Sequence, residues 1–180
     1  MSRSLPLISA LCLMVLACVP AWADGHGLAH AEDFLRDFDG VSKKLNDLAG
    51  AIPADKFDWR PAEGVRSVSE SLVHVATANF FLAQALGGVA MPEGFNPREA
   101  ESTVTSKKDA MALLETSQQH VRDAVPNADP KKEVELFGST RTAYQLTQII
   151  AGHSHEHLGQ LIAYGRSNGV VPPWSQSAGN

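Results

Sequence analysis

The sequence predicts an all-α fold, a four-helix bundle, from three observations. Four stretches repeat apolar residues every three or four positions, the spacing that draws one stripe down a helix. No stretch alternates convincingly with the period of two that a half-buried strand requires. Proline or glycine closes each stripe, where a helix stops. The composition suits a single core. Of 180 residues, 44% are apolar and 19% charged, away from the hydrophilic, highly charged balance of disordered chains, and the length argues for one domain.

The first helix carries Phe34, Phe38, Val41, Leu45, Leu48 and Ile52 on one face and stops at Pro53. The second opens at Ser67-Val68-Ser69-Glu70, where the Ser67 hydroxyl can accept from the Glu70 amide while the Glu70 carboxylate accepts from the Ser67 amide. It runs to about Leu86, ahead of Gly87-Gly88. Val68, Leu72, Val73, Val75, Ala76, Phe80, Phe81, Leu82 and Leu86 cover most of its circumference, so it is expected to pack on more than one side, and a homodimer is expected. A loop with Pro92, Gly94 and Pro97 leads to the third stripe, Met111, Leu114, Gln118, Val121 and Val125, ended by Pro126. Residues Asn127 to Ser139 read as a polar connection. The fourth helix begins near Thr140 and continues to Arg166; Asn168-Gly169 and Pro172-Pro173 end it, with Gly169 suited to a left-handed cap.

Residues 1–23 read as an export signal. Arg3 supplies the positive end, Leu5 to Val19 the apolar stretch, and Ala21-Trp22-Ala23 the cleavage site. The apolar run is too short for a stable transmembrane anchor, which needs about 20 residues. The expected location is therefore periplasmic or secreted, with residues 24–180 as the folded domain. An alternative is that Val15-Leu16-Ala17-Cys18 serves as a lipoprotein box, leaving the chain anchored at a lipidated Cys18. Cleavage after Ala23 removes Cys12 and Cys18, the two cysteines of the chain, so neither a disulfide framework nor a cysteine nucleophile explains the rest. A nucleic-acid partner is excluded by charge: the net charge is -5, and basic residues cluster no further than the pairs Lys43-Lys44, Lys107-Lys108 and Lys131-Lys132.

Chemistry concentrates on the fourth stripe, Leu146, Ile149, Ile150, His153, His157, Gln160, Leu161 and Tyr164. Two histidines stand where the pattern calls for apolar residues. Side chains four apart stack on one helix face with about 5–6 Å between their Cβ atoms, so both imidazoles can reach one metal ion. His155 lies two residues from each and points away. A third ligand has to come from another helix, and His74 is the histidine within the span of the second. Three neutral imidazoles with open positions have a catalytic layout, because a closed structural zinc site uses four protein ligands, usually with cysteine. The competing reading is a set of core histidines bonded to carbonyls. Gln160, one turn beyond His157, suits the orienting of a ligand or the polar end of the bundle. Glu156 lies about 100° off the stripe and reads as a solvated or pairing residue, and Glu70 as a cap. Trp59, Phe81 and Trp174 read as anchors for loop and tail, or as part of a pocket wall.

The segments Trp59-Arg60-Pro61-Ala62-Glu63-Gly64-Val65-Arg66-Ser67, His74-Val75-Ala76, His153-Ser154-His155-Glu156-His157-Leu158-Gly159-Gln160, Tyr164-Gly165-Arg166 and Gly169-Val170-Val171-Pro172-Pro173 together resemble the DinB-like superfamily, over roughly Asp33 to Ser175. The resemblance implies a four-helix bundle that holds a divalent metal, typically zinc or nickel, on three histidines, here His74, His153 and His157. It also implies a metal-dependent transferase, thiol transferase-like, or a hydrolase, acting on a small molecule. Export weakens the thiol version, since low-molecular-weight thiols are chiefly cytosolic, and leaves three readings open: water as nucleophile, another substrate, or no catalysis. The alternative is a non-catalytic metal-binding or interaction module of the cell envelope, with the metal tying helix two to helix four. An open position facing a cavity near Phe80-Phe81 favours the enzyme; a fourth protein ligand, such as His120 or a glutamate, favours the module. Histidine nitrogens suit zinc, nickel, copper, iron and cobalt alike.

Overall fold

The computed structural model describes residues 25–88 and 90–176. The expected export signal, Cys12 and Cys18 lie outside the described residues. In chain order the elements are α1 (Gly25–Ala51), α2 (Val68–Ala85), the one-turn α3 (Ala100–Thr103), α4 (Lys107–Ala124), β1 (Glu133–Leu136), β2 (Ser139–Thr142) and α5 (Ala143–Ser167). The four long helices make the bundle. α1 packs against α4 and α5, and so does α2, which places α1 and α2 at opposite corners.

Each stripe finds the core. Phe34, Phe38, Val41, Leu45, Leu48 and Ile52 of α1 are all buried. α2 buries Val68, Leu72, Val73, Val75, Ala76, Phe80 and Leu82, as a helix packed on two sides must. On α4 the polar Gln118 falls within the stripe because it has a buried partner: its amide exchanges two hydrogen bonds with Asn46 of α1, at 2.9 and 3.2 Å. A buried amide satisfied in this way specifies how α1 and α4 align as well as holding them together.

The helix ends follow the local sequence. Ser67 caps α2 with the full reciprocal pair, Glu70 N–H to Ser67 Oγ at 3.2 Å and Ser67 N–H to Glu70 Oε2 at 2.7 Å. α2 ends where Gly88 packs so tightly on α4 that a Cβ there would lie 2.5 Å from the Ala124 Cβ. Gly169, at φ +75°, takes the left-handed position after α5. Lys107, at the start of α4, donates its ammonium to the carbonyls of Gly50 and Ile52 at 2.7 Å each, which satisfies and neutralises the negative C-terminal end of α1.

Three features depart from the expected outline. α1 begins at Gly25, ahead of the Phe34 where its stripe starts. α4 begins at Lys107 because Ser106 caps it, accepting from the Asp109 amide at 3.1 Å. The connection before α5 contains a hairpin, β1 antiparallel to β2 with Glu133 opposite Thr142 and Leu136 opposite Ser139. Thr142 then caps α5 in a second reciprocal pair with Gln145. Among the described residues no helix is long and apolar enough to cross a membrane.

Candidate metal centre

α2 and α5 run side by side and bring His74, His153 and His157 together, one ring nitrogen of each within 4.8 Å of the others. Nε2 of His74 lies 3.2 Å from Nε2 of His153. The ring centroids are 5.0 Å apart for His74 and His153, 4.9 Å for His74 and His157, and 4.4 Å for His153 and His157. His157 is buried, and the other two are half-buried.

Two of the rings are oriented from behind. His74 Nδ1–H donates to Glu101 Oε1 at 3.0 Å, and the other oxygen of Glu101 accepts from Arg66 Nε at 2.8 Å. His157 Nδ1–H donates to Gln160 Oε1 at 2.7 Å, while Gln160 Nε2–H donates to Tyr164 Oη at 2.8 Å. Each arrangement ties down Nδ1 and leaves Nε2 as the nitrogen free to ligate.

The electrostatics favour neutral imidazoles. Burial, then the neighbouring His157, His74 and Arg66, push His153 down to about 4. Burial foremost, then Arg66 and His157, lower His74 against the opposing pull of Glu101. A neutral imidazole is the ligating form. Two nitrogens on a tetrahedral zinc ion, at about 2.0–2.1 Å each, stand about 3.3 Å apart, and the 3.2 Å between His74 and His153 matches that separation. The residues therefore fit a divalent ion.

The other sequence candidates fall outside the trio. His155 faces α1, with Nε2 at 3.1 Å from Asp37. Glu156 is exposed. Glu70 is occupied by the cap and by Arg60 at 3.0 Å. His120 is no fourth ligand: its Nδ1–H donates to the Thr116 carbonyl at 3.0 Å and its ring rests edge-on against Phe80. Trp59 packs edge-on against Tyr164 at 5.3 Å, behind the Gln160 bond, and Trp174 lies over Lys44 of α1. Glu101 is the residue that sequence reasoning missed. It stands on α3, within a loop that carries no periodic signal.

Two hollows flank the histidines. One, of about 310 Å³, is apolar and includes His74 and His153 in its wall along with Phe81 and Ile149. Phe80, expected beside Phe81, is fully buried instead and faces His120 and Phe95, because neighbouring helical residues point about 100° apart. The other, of about 550 Å³, is polar and contains Arg60, Arg66, Glu70, Glu101 and Gln160. A larger surface hollow, about 620 Å³ between Ala51 and the Gly169–Gln176 tail, has no titratable group on its walls.

A family model described as the DinB superfamily matches residues 37–161. The uncharacterized protein YjoA of Bacillus subtilis (strain 168) is 28% identical over 133 residues, which cover 69% of this chain and 81% of YjoA. The crystal structure of that DinB-like Bacillus subtilis protein superposes with a TM-score of 0.61 at 23% identity, covering 82% of this chain and 99% of the other. A DinB-like protein from Bacillus cereus ATCC 10987 gives a TM-score of 0.64 at 16% identity, covering 79% and 95%. At these identities the two structures establish the shared fold.

Proposed function

The chain belongs to the DinB superfamily, and on that footing we propose that it binds a divalent ion, zinc or nickel, on His74, His153 and His157 and acts as a transferase or hydrolase on a small molecule. The observation that carries this reading is the convergence of three ring nitrogens within 4.8 Å beside two hollows that a small molecule can enter. When bound, such an ion supplies Lewis acidity that lowers the pKa of a thiol or water.

The chain's own residues do the rest. Glu101, itself held by Arg66, fixes the tautomer and the direction of His74. Gln160 does the same for His157, and Tyr164 holds Gln160. Phe81 and Ile149 give one side of the trio an apolar wall. The enzyme reading is favoured over a closed structural site because His120 is committed elsewhere and Glu101 grips the rear of His74, so neither serves as a fourth ligand.

Elemental analysis of the untagged protein tests the proposal. We expect near-stoichiometric metal, removed by His153→Ala or His157→Ala; a metal-free parent with an unchanged fold would sink it.

Export is part of the same proposal. Residues 1–23 direct the chain out of the cytoplasm, and cleavage after Ala23 leaves α1 whole. Intact-mass measurement of the protein made in a bacterial host reads the new terminus directly. A chain starting at Asp24 supports cleavage, one starting at a lipidated Cys18 replaces it with an anchor, and an uncut cytoplasmic chain refutes export.

A further inference from the structure

Phe137 goes against two preferences at once. It is 86% exposed, and it stands at φ +50° in the two-residue turn Phe137-Gly138 that joins β1 to β2. Turns of this kind favour Asn or Asp followed by Gly, because other side chains resist the left-handed region. A residue held there persists only where its surroundings hold it, and such positions cluster at ligand clamps and active sites.

Its surroundings are specific. The Phe137 ring stacks on Phe81 of α2, with centroids 5.7 Å apart and planes at 29°. Phe81 is itself 39% exposed, an unusual position for an aromatic on a helix so deeply buried elsewhere. Both rings line the 310 Å³ hollow, together with Thr77, Ala78, Leu82 and Ile149. The Thr77 hydroxyl is committed to the Val73 carbonyl at 2.9 Å. The polar side-chain groups left on the wall are therefore the imidazoles of His74 and His153. A charged group placed here would lose its hydration and meet no counter-charge.

We propose that this hollow is a subsite for an uncharged apolar group of the substrate, a single ring or short alkyl chain, with the Phe81–Phe137 pair as its outer wall and the histidines at its reacting end. The volume sits at the small end of the range for ligand pockets, about 300–1,000 Å³, which suits one such group. Naming the histidine end as the reacting end rests on the metal-centre proposal; the filling of the hollow by an apolar group does not.

The test is ligand-observed NMR on the purified protein, metal-free and zinc-loaded, with toluene as the probe and benzoate as its charged counterpart. Toluene is expected to bind both forms. In the metal-free form benzoate is expected to bind about 10-fold more weakly or worse. Phe137→Asn gives the turn its preferred residue, so the fold is retained, and should weaken toluene binding by roughly 3- to 10-fold, the value of one aromatic contact. Ile149→Glu should abolish it. Absence of toluene binding in both forms, or equal binding by the parent and both variants, overturns the subsite. So does a Phe137→Asn variant that changes only the oligomeric state on size exclusion. Zinc and nickel uptake measured on the same samples separates the two proposals: toluene binding without uptake of either ion sinks the metal centre alone, and metal uptake without toluene binding sinks the subsite alone.

Discussion

Burial and neighbouring positive groups act on the same histidines, and together they set how the metal-free protein responds to acid. His153 is held at about 4, and His74 and His30 also lie below their ordinary 6.5, with burial the largest cause in each. The unfolded chain therefore takes up protons first as pH falls. Stability from these groups is complete above about pH 6.5 and lost as pH falls below it, for His153 down to about 4, so the urea midpoint of metal-free protein should drop between pH 7 and pH 5. A flat profile would mean that these imidazoles are open to solvent. The orienting bonds make a second expectation. Glu101→Ala and Gln160→Ala should each weaken metal affinity by roughly 10- to 100-fold, read by competition with a chromophoric chelator, while the three ligands stay in place. His74, His153 and His157 were legible in the sequence because two of them interrupt an apolar stripe at a spacing of four. Gln160 shared that face. Glu101 was not legible, because its contact with His74 spans 27 residues and depends on how a loop folds back.

The long helices were readable for the same reason: each buries one face, and a face leaves a period. Their ends were readable where side-chain chemistry marks them. Ser67 is one such end, and Ser67→Ala is expected to cost about 0.5–2 kcal/mol, seen as a lower urea midpoint at unchanged slope. The start of α4 escaped notice because Ser106 and its polar first turn precede the stripe. The hairpin escaped for another reason. β1 does alternate, Glu133-Val134-Glu135-Leu136, with only Leu136 fully buried, but four residues are too few to separate from chance. β2, Ser139-Thr140-Arg141-Thr142, has no apolar side to alternate with. The turn between them lacks the Asn-Gly or Asp-Gly signal that announces a hairpin. It departs from turn preference at Phe137, the position with a contact to make on α2.

At the scale of the whole molecule, the bundle sets α1 and α2 at opposite corners and draws the three histidines that could hold a metal from α2 and α5, two helices distant in sequence and adjacent in space. His74 and His153 are separated by 79 positions. An ion held by both binds only the folded form, which would stabilise it by about 2.7 kcal/mol at a free concentration 100 times the dissociation constant. A strong chelator should therefore lower the melting temperature, and calorimetry before and after dialysis against dipicolinate measures the shift; an unchanged melting temperature would leave the ion no part in stability. Both cysteines lie ahead of residue 24, so the folded chain has no covalent staple between its helices. The histidine trio would tie α2 to α5 through an ion, a link sensitive to metal starvation and acid but indifferent to reductants that dissolve disulfides.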